Sequence, residues 1–223
     1  MDAVARFAGL MRSDAGFALD EAAFCIAACA RREVDVDRQL RRLDELAEGV
    51  RVPTLDGLVH HLFAVEGFSG DADRYYDPRN SFLDSVLDRR RGIPISLSVL
   101  VMEVGRRVGV PLDGVGMPGH FLLRDKVDPS VFVDPFHRGR LLDARGCREL
   151  LASLSREAPW SETYLAPVSR PVIVARMLAN LRAIYAQRGD AAALAWVSQL
   201  RSHLPGVAAD ERAQLPRLVA PLN

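Results

Sequence analysis

The chain has 223 residues, enough for one globular domain or a domain with a helical appendage. Apolar residues make up 49% and charged residues 26%, proportions that support a buried core. Lys plus Arg and Asp plus Glu both number 29, so no global charge draws the chain to nucleic acid, and no apolar run reaches the ~18 residues of a membrane span.

Helical periodicity dominates the first third. Phe17, Phe24, Ile26 and Ala27 predict a helix over 14–30, and Val36, Leu40, Leu43, Leu46 and Ala47 an amphipathic one after it. Thr54 opens a third helix that carries Leu58, Leu62 and Val65 until Gly67. The turn-rich stretch GFSGDADRYYDPRN, 67–80, reads as the longest loop before the core. Ser81 is expected to cap a short helix, FLDSVLDRR, interrupted by Arg91-Gly92-Ile93-Pro94. A strongly apolar helix follows over 95–108, stopped by Gly109 with Pro111 two residues on. Its apolar character on most sides predicts burial at the centre of the domain.

The period then becomes strand-like at 114–117, 120–124 and 131–134, with 140–142 as a candidate fourth strand. Asp143 caps a further helix, ARGCRELLASLS. Prolines punctuate 159–171, the expected boundary, before two helices over 172–187 and 191–203 joined at Gly189-Asp190. One such pair cannot bury its own apolar face, so it is expected to pack on the core. The organisation read here is a helical region over 1–70 packed on a core over 71–158, then a helical pair over 171–223. The fold class is α+β: a small antiparallel sheet with a central helix, flanked by helices at both ends.

The residues Gly109-Val110-Pro111, Gly119-His120-Phe121 and Phe132-Val133-Asp134-Pro135, in that order after a central helix, resemble the transglutaminase-like (papain-type) superfamily. The segment from Tyr75 to Ser98, with the RMLANLRAIY helix from Arg176 to Tyr185, is similar to the SirB-type bacterial branch; its closing helices are tetratricopeptide-like. In catalytic members a cysteine heads the central helix, where the dipole and free N–H groups stabilise a thiolate. A histidine acts as base and an aspartate fixes its tautomer. The resemblance implies that His120 and Asp134, fourteen residues apart, hold those last two positions. It places the cysteine about fifteen residues before Gly109, where Pro94 stands, with Ile95, Ser96, Leu97 and Ser98 as neighbours.

The resemblance without a cysteine therefore implies a cytoplasmic, non-catalytic protein that binds a protein or peptide through the former active-site cleft. The alternative is a hydrolase or acyltransferase with Ser96 as nucleophile, although a serine there more often caps than attacks. A third reading is a scaffold working through the C-terminal helices. Tyr75 and Tyr76, beside an Asp77-Pro78 turn, suit a recognition surface, since aromatic rings give contact area at low entropy cost. Asn80 is expected to offer its amide to the same cleft, and His137 to line its mouth. Cys25 and Cys29 at i, i+4 lack further ligands at metal spacing, and Cys147 sits in an amphipathic helix; all three read as packing. His60-His61 reads as a structural pair and Arg89-Arg90-Arg91 as a solvated helix end. No cofactor, metal, nucleic-acid or membrane partner is implied, and three cysteines make no disulfide framework. The N-terminus is too polar for a secretory leader, so a reducing cytosol is expected.

Overall fold

The structure is a computed structural model that describes residues 2–13, 16–154 and 159–204. Three helices come first: α1 (Ala3–Met11), α2 (Leu19–Ala30) and α3 (Val36–Glu48). The helix expected over 14–30 begins at Leu19; residues 14 and 15 lie outside the described residues. Asp35 caps α3 by accepting from Arg38 N, and Thr54 caps α4 (Leu55–Val59) by accepting from Gly57 N. Beyond α4 the chain widens into a π-helical turn, His60–Val65.

The loop before the core is more ordered than its composition suggests. Asp77, not Ser81, acts as a cap: its side chain accepts from Arg79 N and starts a 3₁₀ turn, Pro78–Ser81. The following helix, α5 (Leu83–Arg89), starts from Phe82 without a side-chain cap and ends at Arg90 in the left-handed region. Strand β1 (Ser69–Gly70) then pairs in parallel with β2 (Arg91–Gly92), which leads directly into α6 (Pro94–Arg107).

Helix α6 is the element around which the rest is arranged. Pro94 occupies its first turn, where a missing N–H costs nothing, and every residue from Pro94 to Val101 is buried. Gly109, at φ 77°, turns the chain out of it. The antiparallel sheet runs β3 (Leu112–Val115), β4 (Leu122–Asp125), β5 (Phe132–Asp134) and β6 (Arg140–Leu142) in sequence order. The first two strands are displaced from the expected 114–117 and 120–124. Pro118 and left-handed Gly119 make a turn in which His120 N bonds Met117 O, so His120 precedes β4 instead of lying on it.

Alternation along the strands divides the interior. Leu123 and Val133 belong to the main core with α6, whereas Leu122, Phe132 and Leu142 pack on the other face with Cys147 and Leu151 of α7 (Ala144–Leu154). The main core also takes in α1–α3, α8 (Arg170–Arg188) and α9 (Ala191–Ser202). The 159–171 segment holds a 3₁₀ turn, Glu162–Leu165, and lies along β3 through a Val115–Pro167 bridge and a Val168 N to Gly114 O bond. Left-handed Gly189 and the Asp190 cap join α8 to α9. The ends of the expected core, 155–158, and of the expected helical region, 205–223, lie outside the described residues.

Candidate functional site

The Pro118-Gly119 turn sets His120 against the end of β5. His120 Nε2 donates to Asp134 Oδ1 at 2.9 Å, and His137 Nδ1 donates to Asp134 Oδ2 at 2.7 Å. Asp134 Oδ1 also accepts from Phe136 N at 3.1 Å and His137 N at 3.3 Å, because Pro135 turns the chain back over the carboxylate. Burial pushes the Asp134 carboxyl up, but the two imidazoles and their charge outweigh it and hold it well below the usual range. The carboxylate is therefore ionised and acceptor-only, which puts a proton on each nitrogen facing it. The bond to Asp134 raises the His137 imidazole, against its partial burial.

His120 and Asp134 are each 1% exposed, whereas the His137 side chain is 48% exposed. One ligand-capable atom from each of the three lies within 4.8 Å of the others. His120 Nδ1, the nitrogen turned away from Asp134, is buried without a partner among the described residues.

Two further residues shape the site. Phe136 meets His120 edge-on at 5.9 Å and Tyr75 at 6.0 Å. It lies so close over Gly70 that a Cβ there would enter its ring. Arg176 of α8 is buried; its Nη2 donates to His120 O at 2.6 Å and to Met117 O at 3.3 Å, and its guanidinium lies 5.2 Å over the Phe121 ring. Burial lowers its pKa to about 10, still charged at neutral pH, and Nη1 has no partner among the described residues. Arg176 was not singled out in the sequence, although the charge interrupts an otherwise apolar Val172–Leu178 run.

The other sequence candidates fall in different places. Ser96 is fully buried at the head of α6, where its hydroxyl donates to Asn80 O at 2.6 Å and accepts from Ile93 N at 3.1 Å. It makes no hydrogen bond with His120 among the described residues. Asn80 is also fully buried: Nδ2 donates to Arg74 O and Oδ1 accepts from Arg89, so the amide holds the loop together and does not face the cleft. Arg89 and Arg90 also pair with Asp71 and Glu66, so that run is a bracket and not a solvated end. His61 is buried against Leu46 O while His60 is exposed. Burial pushes the Cys25 and Cys147 thiols up to about 12 and Cys29 to about 11.

Tyr75 and Tyr76 meet edge-on at 5.3 Å, and Tyr76 is 42% exposed. With Arg74, Arg79 and Arg188 they line a groove of about 610 Å³. Arg188, at the end of α8, donates to Tyr76 O at 3.0 Å and fastens this loop to the helical pair.

Residues 26–179, well over half the chain, match the transglutaminase-like superfamily. The chain belongs to that superfamily. In this chain the His120–Asp134 pair joins the turn before β4 to the end of β5. This transglutaminase-like chain is 50% identical over 141 residues to a UPF0162 protein of Xylella fastidiosa (strain Temecula1), covering 60% of the chain and 50% of the relative. It is 37% identical over 185 residues to UPF0162 protein PA3419 of Pseudomonas aeruginosa, covering 78% and 67%. It is also 32% identical over 145 residues to human F-box only protein 21, covering 60% of the chain but 22% of that protein. The chain thus spans about half the length of the Xylella relative. No solved structure matches it.

Proposed function

We propose that this is a non-catalytic, SirB-type transglutaminase-like protein of the cytoplasm that binds a segment of a partner protein over its former active-site cleft. The head of α6 carries the reading. A thiolate nucleophile belongs there, and the spacing that the resemblance implies falls on Pro94, which has no reactive side chain, in the first turn of α6. Ser96, the nearest hydroxyl, is committed to Asn80 O and Ile93 N, and hydrolysis needs it free to hand its proton to a base. The three cysteines are packed elsewhere with thiols raised toward 11–12, which leaves almost no thiolate at neutral pH.

What remains is a recognition surface. The exposed ring of Tyr76 and the partly buried Tyr75 present aromatic area beside Arg74, Arg79 and Arg188, a composition enriched where proteins meet. A groove of about 610 Å³ holds a few side chains, which suits an extended or looped segment. Arg188, at the end of α8 in the tetratricopeptide-like pair, closes the groove from the helical side. The 22% coverage of human F-box only protein 21 fits a domain that serves as one part of longer proteins.

A photo-crosslinker at position 76, compared with one at exposed Val52, tests the reading. Crosslinks to a discrete partner should form from position 76 and not from 52, and a Tyr76→Ala change in the labelled chain's competitor should weaken competition. Labelling by serine- or cysteine-directed probes that disappears in Ser96→Ala would instead establish the hydrolase.

A further inference from the structure

His120, Asp134 and His137 carry a donor set that peptide binding leaves unused. We propose that these three side chains form a binding site for a divalent transition-metal ion of the class that takes imidazole and carboxylate ligands together, such as Zn²⁺, Co²⁺ or Ni²⁺. Two imidazoles and one carboxylate are a recurrent open metal-binding set.

The distances suit an ion. Bonds of about 2.0–2.2 Å place neighbouring donors roughly 3.0–3.5 Å apart. Asp134 stands 2.9 Å from His120 Nε2 through Oδ1 and 2.7 Å from His137 Nδ1 through Oδ2, and one donor atom from each of the three residues lies within 4.8 Å of the others. The remaining adjustment is available to His137, whose side chain is half-exposed and also gives the ion a path in from solvent. His120 and Asp134 are fixed by packing.

The carboxylate is also supported as a ligand should be. Backbone N–H groups of Phe136 and His137 hold Oδ1, so Asp134 keeps its orientation if an imidazole turns toward a metal. A His–Asp pair kept only for packing needs one imidazole. Here the second carboxylate oxygen faces another imidazole from the same turn, i and i+3, which converts the pair into a three-donor cup.

One feature limits the affinity. Coordination through Nε2 moves the His120 ring proton to Nδ1, which has no acceptor among the described residues. Missing outer partners of this kind cost about 10–100-fold in metal affinity, so micromolar and not nanomolar binding is expected.

The whole chain, stripped with a chelator, is titrated with Co²⁺ alone and with Zn²⁺ alone, by calorimetry and visible absorption. One equivalent should bind with a micromolar Kd and no thiolate-to-cobalt band. His137→Ala should weaken binding at least tenfold while His60→Ala leaves it unchanged. His137→Gln, which retains a hydrogen-bond donor for Asp134 but is a poor ligand, should weaken it equally, and melting curves verify that both variants fold. The proposal is overturned by absence of saturable binding below millimolar metal, by equal affinity in the two His137 variants and the parent, or by a thiolate band lost in Cys25→Ser or Cys29→Ser.

Discussion

Replacing Arg176 by Met sets two opposed effects against each other. The guanidinium is buried without a carboxylate partner among the described residues, and burial has already lowered its pKa to about 10, so removing it relieves a desolvation cost. Against that, His120 O loses the 2.6 Å bond from Nη2, whereas Met117 O keeps its 3.1 Å bond from His120 N. A buried carbonyl left alone, or a lost bond to a charged donor, costs about 1–3 kcal/mol. Met fills a similar volume over Phe121, so little packing is lost. The cation already has two carbonyls and an aromatic face as compensation. Lost bonding should therefore win, with a net destabilisation of about 2 kcal/mol. For a domain of this size that lowers Tm by roughly 4–8 °C. Urea and thermal unfolding measure it, with Arg176→Lys as a partial rescue that keeps one donor. A Met variant as stable as the parent, or more so, would refute the reasoning by showing that the buried charge dominates.

Iodoacetamide at pH 7.5 should modify Cys25 and Cys147 in the native chain far more slowly than in urea, because thiols near 12 hold almost no thiolate; peptide mass mapping reads the rates, and fast native labelling at either would contradict the assignment of packing roles. Gly139→Ala should destabilise by roughly 2–4 kcal/mol in urea unfolding, since φ is 74° and the new Cβ would enter the Phe63 ring. A loss under 0.5 kcal/mol would show that the β5–β6 turn relaxes freely. Asp134→Asn removes the charge behind two imidazole bonds while keeping the shape, and should cost about 1.5–3 kcal/mol at neutral pH; equal melting of variant and parent would show the carboxylate charge to be irrelevant.

The central helix was readable because three signals agreed: Pro94 inside its start, Gly109 past its end and an apolar run between them. His120 and Asp134 could be paired in advance through the family resemblance, with which their fourteen-residue spacing agrees but which that spacing alone would not have supplied. The strand limits were harder to read. Pro118-Gly119 looked like a break between strands, but it reaches two residues further and lifts His120 out of the ladder. Asn80 and Ser96 were expected at the cleft, whereas in space the Asn80 amide bonds Arg74 O and Arg89 and the Ser96 hydroxyl bonds Asn80 O. Arg176 was hidden among many arginines. Its position opposite the His120 turn depends on how α8 docks, a long-range arrangement that local pattern does not encode.

Pro167 has one more effect, on how the molecule meets copies of itself. A sheet edge usually offers a row of free donors and acceptors to which another chain can zip, the first step toward fibrils. Here the outer rim of β3 is strapped by the segment around Pro167, a residue with no N–H to extend the ladder. The opposite rim, β6, is three residues long and carries Arg140 and Leu141 in the open. Short and charged, that rim is a poor template, so the sheet should resist edge-to-edge polymerisation even at high concentration.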